Sequence, residues 1–446
     1  MHEKSQKTLL ERSLSLFAPV HGGEGSRVLL LALNVFFLLT AYYIIKPVRE
    51  ALILSEWGAE AKIYTAAGQA FLLLLVVPLY SRLAGAVNRR RLITLVLVFF
   101  IGCLVAFYFL ALARVPLGIP FYLWVGIFNV MVIAQFWSFA NDIYTNEQGK
   151  RLFAIVGFGS SAGAVFGSFI TGKLIEPLGL YQLLLLSGAL LAVSLVLTLV
   201  VDTSTAKTEP QKTTVKSGRS GFALVFKSRY LLLIALMMVL ANLVNTTGEY
   251  ILGKRVAANA RASVPEVVIS ETMSEAEMEA AQAVRQDEIG VITGKFYSGF
   301  FNLVNLVGLL TQLFLVSRIV RWGGVHLAIL VLPVVALGGY FMMGLFPLLA
   351  VTRWAKTAEN ATDYSLQNTV RNMLFLPTTR EEKYQAKQAI DSFFVRAGDM
   401  LAALLVLVGT SVWNLSVGGF AWVNVGLALI WIWVAVAIGR RYRSLT

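Results

Sequence analysis

The run VLLLALNVFFLLTAYYIIKPVREALIL, residues 28–54, is continuous in apolar residues except for Lys46, Pro47, Arg49 and Glu50 near its end. About 20 apolar residues span a hydrocarbon core, so the run reads as a membrane helix. A charge at the centre of such a helix costs about 2.5–3.5 kcal/mol on insertion scales, and intramembrane charges therefore face a cavity or a partner. Val28 to Lys46 covers roughly 27 Å at the helical rise, which puts Lys46 near the far edge of the hydrocarbon. Two readings follow. Either the basic residues help to form an anion site, or they snorkel to the headgroups with Glu50 paired to them.

The rest of the chain fits this setting. It has 446 residues, 57% hydrophobic and 14% charged, against about 45–50% and about 25% in a soluble domain. The apolar runs are continuous rather than alternating, which argues for helices and against an outer-membrane barrel. A single cysteine, Cys103, excludes an intramolecular disulfide and a cysteine cage, and His2, His21 and His326 are too scattered to suggest a metal site. No cofactor motif appears. The net charge of +13 reads as topological, since Lys and Arg accumulate in cytoplasmic loops; no nucleic-acid partner is expected. Met1 to Ser26 is polar, so no cleavable signal peptide is expected.

Apolar segments near 28–54, 63–85, 91–113, 117–141, 152–174 and 178–201 precede a polar stretch, and others lie near 230–252, 291–316, 324–348, 350–376, 386–411 and 416–439. The expected fold is an all-α polytopic membrane protein of about 12 transmembrane helices in two six-helix bundles. Its expected parts are an N-terminal segment 1–27, bundles 28–201 and 229–446, a basic linker 202–228 and an external insertion 255–290. Basic clusters at 4–27, 82–91, 207–229 and 440–443 fall on one side of an even helix count, so both termini are expected in the cytoplasm of an inner-membrane protein. Within the insertion, Ser274 and Glu277 fit a capping box. Ser81-Arg82-Leu83 and Ser317-Arg318-Ile319 occupy corresponding places in the two halves, each before a basic turn, the second at Arg321-Trp322-Gly323-Gly324, a parallel repeat that resembles the plan of major facilitator transporters.

Several constellations can carry chemistry. Glu249 lies at about the depth of Lys46, one half-chain later; it either faces the basic pair of the first helix or pairs locally with Lys254 or Arg255. Arg353, Lys356, Asn360, Asp363, Gln367 and Arg371 recur every three or four residues, with Glu359, Tyr364, Asn368 and Asn372 alongside, so they draw a polar stripe on the tenth helix; the helix either lines a wet path or begins outside the bilayer as an amphipathic surface helix. Glu147, Lys150 and Arg151, and Glu382 and Lys383, mix both signs in expected cytoplasmic loops and, with Asp391 deeper on the eleventh helix, are candidate gating residues; a plain solvated turn is the alternative for the loops. Tyr42, Tyr43, Tyr364 and Trp137 are candidates for stacking a base. Gly157-Phe158-Gly159-Ser160-Ser161-Ala162 fits a loose dinucleotide pattern, but no strand precedes it. Gly159, Gly163 and Gly167 read instead as a small-residue ridge for close helix packing.

The first-helix cluster resembles that of the nucleotide transporter family, the ATP/ADP antiporters of plastids and intracellular bacteria, whose pattern is roughly R-x-x-K-D-x-L. Phe136-Trp137-Ser138-Phe139-Ala140-Asn141, Tyr364-Ser365-Leu366, and Glu382-Lys383 followed by Lys387-Gln388-Ala389-Ile390-Asp391 are similar to other segments of that family, in the same order. The resemblance implies that Lys46, Arg49, Glu50, Glu249, Asp363, Tyr364, Arg371, Asn372 and Lys387 contribute to the substrate path. Arg49 and Lys387 stand where the family has lysines, and Glu249 where it has a glutamate. Asn372 replaces an acidic residue, and Asp363 a lysine. The expected function is secondary transport, not enzymatic: a small anionic substrate, nucleotide or phosphorylated, crosses the bilayer by alternating access, as an antiporter. A proton-coupled facilitator, an anionic-lipid flippase and a non-transporting receptor on the same fold are the alternatives.

Overall fold

A computed structural model describes residues 8–15, 18–203, 221–267, 273–379 and 381–445. Among them there are helices and no strands. The long helices are α1 (Gly25–Glu56), α2 (Gly58–Ala86), α3 (Arg89–Leu112), α4 (Gly118–Ile143), α5 (Asn146–Leu178), α6 (Gln182–Thr203), α7 (Arg229–Ser263), α8 (Glu275–Phe314), α9 (Val316–Leu345), α10 (Leu349–Thr362), α11 (Val395–Ser411) and α12 (Val417–Arg443). Most of the expected linker, 204–220, lies outside the described residues.

Eleven helices are long and apolar enough to cross a membrane among the described residues. The twelfth is α10, continued through a π-helical turn at Asp363–Gln367 into Asn368–Met373. It is too polar to meet an apolar criterion, yet at roughly 1.5 Å per residue it is long enough to span. The protein is thus an all-helical, multi-pass membrane protein of two six-helix bundles.

The chain divides into two compact units, and each takes in one short segment from the other half of the sequence. The first comprises Met1–Leu52, Leu72–Thr213 and Gly290–Asn302. Its central element is α1, whose most apolar window is 72% buried, more than that of any other spanning helix. The glycine ridge of α5 explains how α1 is held. A Cβ at Gly159 would stand 2.5 Å from Ala32 O and one at Gly167 2.6 Å from Thr40 O, with Gly163 against Phe36 O between them. Both helices step by four residues, so the backbones run in contact. On its other side α1 meets α6 through a buried polar chain: Ser194 Oγ donates to Asn34 Oδ1 (2.6 Å), and Asn34 Nδ2 to Thr198 Oγ1 (2.7 Å). Pro47 interrupts the ladder of α1, since it has no N–H for the carbonyl of Tyr43; the Thr171 hydroxyl lies 3.5 Å from that oxygen.

The second unit comprises Ile53–Phe71, Thr214–Ile289 and Leu303–Thr446. Here α7 packs on α11 and α12, and α9 on α12. Two boundaries differ from expectation. The insertion expected at 255–290 is mostly helix, because α7 continues to Ser263 and α8 begins at Glu275, capped by the expected Ser274–Glu277 box. The helix that this capping box implies is not a short surface one: the charged residues of 275–288 are the polar start of a 40-residue helix. The turn expected around Arg321-Trp322-Gly323-Gly324 is likewise helical, broken only at Gly324, whose φ of 63° needs a glycine.

Candidate functional site

In the first unit, α1 carries the expected cluster on its buried face. Lys46 is 8% exposed. Its Nζ lies 4.1 Å from the centre of the Phe301 ring and 5.1 Å from that of Tyr43, with Tyr42 at 6.0 Å. Three rings around one ammonium form a cation–π cage that tolerates the charge. Arg49 Nε donates to Glu50 Oε1 at 3.0 Å, a second nitrogen also reaches that oxygen, and the guanidinium stacks 4.5 Å over Tyr122. Glu50 is 1% exposed. Lys46 and Glu50 are thus enclosed by protein and Arg49 is partly so, with Glu50 paired to Arg49 as the snorkelling reading expected.

The candidate gating residues of this unit are not in a loop. Thr145 caps α5 with Gln148, so Glu147, Lys150 and Arg151 occupy its first turns. Arg151 donates to both oxygens of Glu24 (3.1 and 3.0 Å) and to Pro19 O. Partial burial works against ionisation of Glu24, but the hydrogen bonds from Arg151, the His21 amide and Gln148 prevail and hold its carboxyl below the usual range. Glu147 is exposed. The side chain of Lys150 lies outside the described residues.

In the second unit, Glu249 sits in a four-charge network. Its carboxylate is 3.7 Å from Lys62 Nζ and 3.6 Å from Lys356 Nζ, and it accepts from Asn360 Nδ2 at 3.1 Å. Lys356 is fully buried and also donates to Glu359 (2.9 Å) and Asn245 Oδ1 (2.7 Å); Tyr340 donates to Glu359 at 2.8 Å. Glu249 thus meets Lys62, Lys356 and Asn360 from other helices. Lys254 pairs with Glu60, and Arg255 reaches the carbonyls of Leu348 (3.4 Å) and Met343 (3.1 Å).

The same unit contains a cavity of about 340 Å³, lined by residues that include Asn242, Asn245, Glu359, Asp363, Tyr364, Gln367, Asn368, Arg371 and Trp431. The π-helical turn supplies three of them. An extra residue in one turn rotates the following side chains, and such turns recur at functional sites. The stripe expected on the tenth helix thus lines a polar space, and Asp363, Tyr364 and Arg371 come together in it. Asn372 stays outside the lining and donates to Asn368 O at 2.8 Å. Asp391 joins Lys387 (2.7 Å) to Arg371 (3.9 Å). Glu382 accepts from the amide and hydroxyl of Thr379 (2.8 and 2.9 Å) as a cap; Lys383 lies in the π-helical turn Glu382–Ala386.

Lys62, Tyr122, Phe301 and Tyr340 were not expected at these sites. Lys62 precedes the apolar run of α2 and reads as loop; the others are lone aromatic residues in apolar runs, with no local signal of a charged partner.

Similarity to known proteins agrees with this architecture. The sequence model of the Major Facilitator Superfamily matches residues 31–260. ADP,ATP carrier protein 1 of Chlamydia trachomatis serovar D is 25% identical over 88% of this chain and 83% of that protein. ADP,ATP carrier protein 2 of the same organism is 23% identical over 71% of this chain and 64% of that protein. Among solved structures, the POT family transporter PepTSo superposes with a TM-score of 0.64 at 11% identity, covering 94% of this chain and 98% of that one. These similar proteins are carriers and transporters, not enzymes. With its helical bundles, its buried intramembrane charges and a family match over more than half its length, the chain belongs to the Major Facilitator Superfamily.

Proposed function

We propose that the protein is an inner-membrane secondary transporter that exchanges small anionic metabolites, nucleotides or related phosphorylated compounds, by alternating access. The observation that carries the reading is the basic pair on α1, the buried Lys46 and the partly buried Arg49. Burying two cations in a membrane bundle is costly unless they serve a partner. Arg49 offers a planar fork suited to bidentate binding of phosphate oxygens, and Glu50 occupies that fork when no anion does. The names of the two Chlamydia relatives support a nucleotide. The basic termini support a cytoplasmic location for both ends.

Thermal unfolding of the purified protein with ATP, ADP, other nucleotides, phosphate, sugar phosphates and anionic lipids tests this. A ligand at 100 times its Kd adds about 2.7 kcal/mol to the native state. The expected result is stabilisation by a nucleotide or sugar phosphate that Arg49→Ala abolishes. A shift with lipid alone, or one indifferent to Arg49, overturns the reading in favour of a lipid substrate.

A second reading has its own observation. Asp363 and Glu359 place two carboxyl groups in the cavity of the second unit, which favours coupling to protons. Uptake that responds to an imposed pH gradient, with no counter-substrate inside the vesicles, would select it over exchange.

A further inference from the structure

One carboxyl group of the second unit stands apart from its neighbours. Asp363 lies in the π-helical turn of the tenth helix, is half-buried and lines the cavity of about 340 Å³. Among the described residues its side chain has no hydrogen bond and no ion pair. The carboxyl groups on the elements around it are engaged. Glu359 takes Lys356 at 2.9 Å and accepts from Tyr340 of α9 at 2.8 Å. Glu249 of α7 lies 3.6 Å from Lys356 and 3.7 Å from Lys62. Asp391 pairs with Lys387 at 2.7 Å. On α11, Asp399 pairs with Arg396 at 3.2 Å and accepts from Thr246 at 2.8 Å. On α12, charged residues begin only at Arg440.

The balance of charge gives Asp363 a task. Lys62 and Lys356 face Glu249 and Glu359, two against two, and Arg396 faces Asp399. Arg371, which lines the cavity, and Lys387 share the single carboxylate of Asp391, at 3.9 and 2.7 Å. That cluster keeps one positive charge. Arg371 stands about two turns beyond Asp363 on the same helix, and it also donates to the neutral Asn368 at 3.3 Å. With Asp363 ionised, these groups sum to zero. With Asp363 protonated, one positive charge is left for an anion. An ionised carboxyl without a partner inside a membrane bundle is costly, and intramembrane carboxyl groups mark proton relays. A proton on Asp363 therefore favours an anion beside Arg371, and by linkage the anion favours the proton equally.

We infer that Asp363 is the proton-binding group of the transport cycle, taking up a proton as a substrate anion enters the cavity beside Arg371 and releasing it as the anion leaves. The inference rests on the proton-coupled reading above and narrows it to one residue, because Lys356 already neutralises Glu359. The carboxylate gains H+ from water on one side of the membrane and returns it to water on the other; only the O–H bond forms and breaks.

Uptake of labelled ADP into empty proteoliposomes under an inward acid gradient tests this, together with the pH dependence of ADP binding read by thermal unfolding. In the wild type the gradient drives uptake, and nigericin, which collapses the gradient, stops it. The apparent Kd rises with pH, by up to about ten-fold per unit where one proton is linked. The phosphates of ADP titrate as well, and Asp363→Asn isolates that part: the variant loses the response to the gradient, and its Kd keeps only the pH dependence due to ADP itself. Asp363→Glu restores both. An Asp363→Asn protein that follows the gradient as the wild type does, or Kd values that change with pH in parallel in the two proteins, overturns the inference. So does a wild type that exchanges ADP in ADP-loaded vesicles and ignores the gradient; the nucleotide reading then stands without it. If the wild type neither binds nor carries ADP, the nucleotide reading fails, and infrared difference spectra between acid and alkaline buffer decide on the proton alone. A carboxylic-acid band lost in Asp363→Asn keeps Asp363 as the proton site, and identical spectra overturn it.

Discussion

Lys356 shows how a single buried residue can tie a site together. It is fully enclosed and meets Glu359, Glu249 and Asn245. Removing one member of such a network leaves the opposite charge stranded in a low dielectric, which costs about 3–5 kcal/mol, whereas replacing both with apolar groups is often nearly neutral. Lys356→Met should therefore lower the thermal midpoint sharply, and Lys356→Met combined with Glu359→Leu should recover most of the loss. Equal destabilisation of the single and double variants would show that the network is not the cause. Arg49 differs in kind, because its value lies in shape as much as charge. Its fork engages Glu50 and its plane stacks on Tyr122; a lysine keeps the charge and loses both features. Arg49→Lys should weaken anion binding about ten-fold with little change in stability, read by titration of the thermal shift; unchanged affinity would reduce Arg49 to a point charge.

At the scale of the element, the contact between α1 and α5 is decided by glycine. Gly163→Ala puts a methyl group onto the backbone of Phe36, which cannot move aside as a side chain can; overpacking of this kind costs about 1–3 kcal/mol. Gly157 lies on the same helix with nothing within 4 Å of its would-be Cβ. Gly157→Ala should thus be neutral or stabilising by up to about 1 kcal/mol through helix propensity. The pair of variants, compared by thermal unfolding, isolates the ridge from the helix itself, and a similar loss in both would refute the close packing. This ridge was legible in the sequence because its four-residue step is local. The tenth helix was legible as a polar stripe for the same reason. Its partners were not, since Lys62 and Tyr340 reach Glu249 and Glu359 from other helices, and no periodicity in one segment names a neighbour in another. The start of α5 was misread as a loop because Glu147, Lys150 and Arg151 make it polar. There Arg151 fastens Glu24 just ahead of α1. A carboxyl held below its usual range contributes stability that is complete above about pH 4.3 and fades as the pH falls through the lowered value. Wild-type protein should therefore lose more stability than Glu24→Gln between neutral pH and about pH 3, and parallel pH profiles would count against the ion pair.

For the whole molecule, the number of crossings hangs on one helix. Eleven helices qualify as spans by length and hydropathy among the described residues, and α10 does not, because Lys356, Glu359 and Asp363 interrupt it. Those charges are what a spanning helix can carry when they are neutralised inside its own bundle, as Lys356 and Glu359 are at 2.9 Å, or when they line a polar cavity, as Asp363 does. A helix resting at the surface would have no need to bury a lysine completely. The consequence is topological. Twelve crossings put both ends of the chain on one side, and eleven would put them on opposite sides. The arginines at both ends, Arg12 and Arg27 before and in α1 and Arg440, Arg441 and Arg443 at the end of α12, favour the cytoplasm for both. The single cysteine makes the test clean. With Cys103→Ser as background, cysteines placed singly at Arg12 and Arg441 should resist a membrane-impermeant maleimide in intact cells and react after lysis, while one at Ser274, between α7 and α8, should react in intact cells. Labelling of one terminus but not the other from outside would mean that α10 does not cross, and would take Asp363, Tyr364 and Arg371 out of the substrate path.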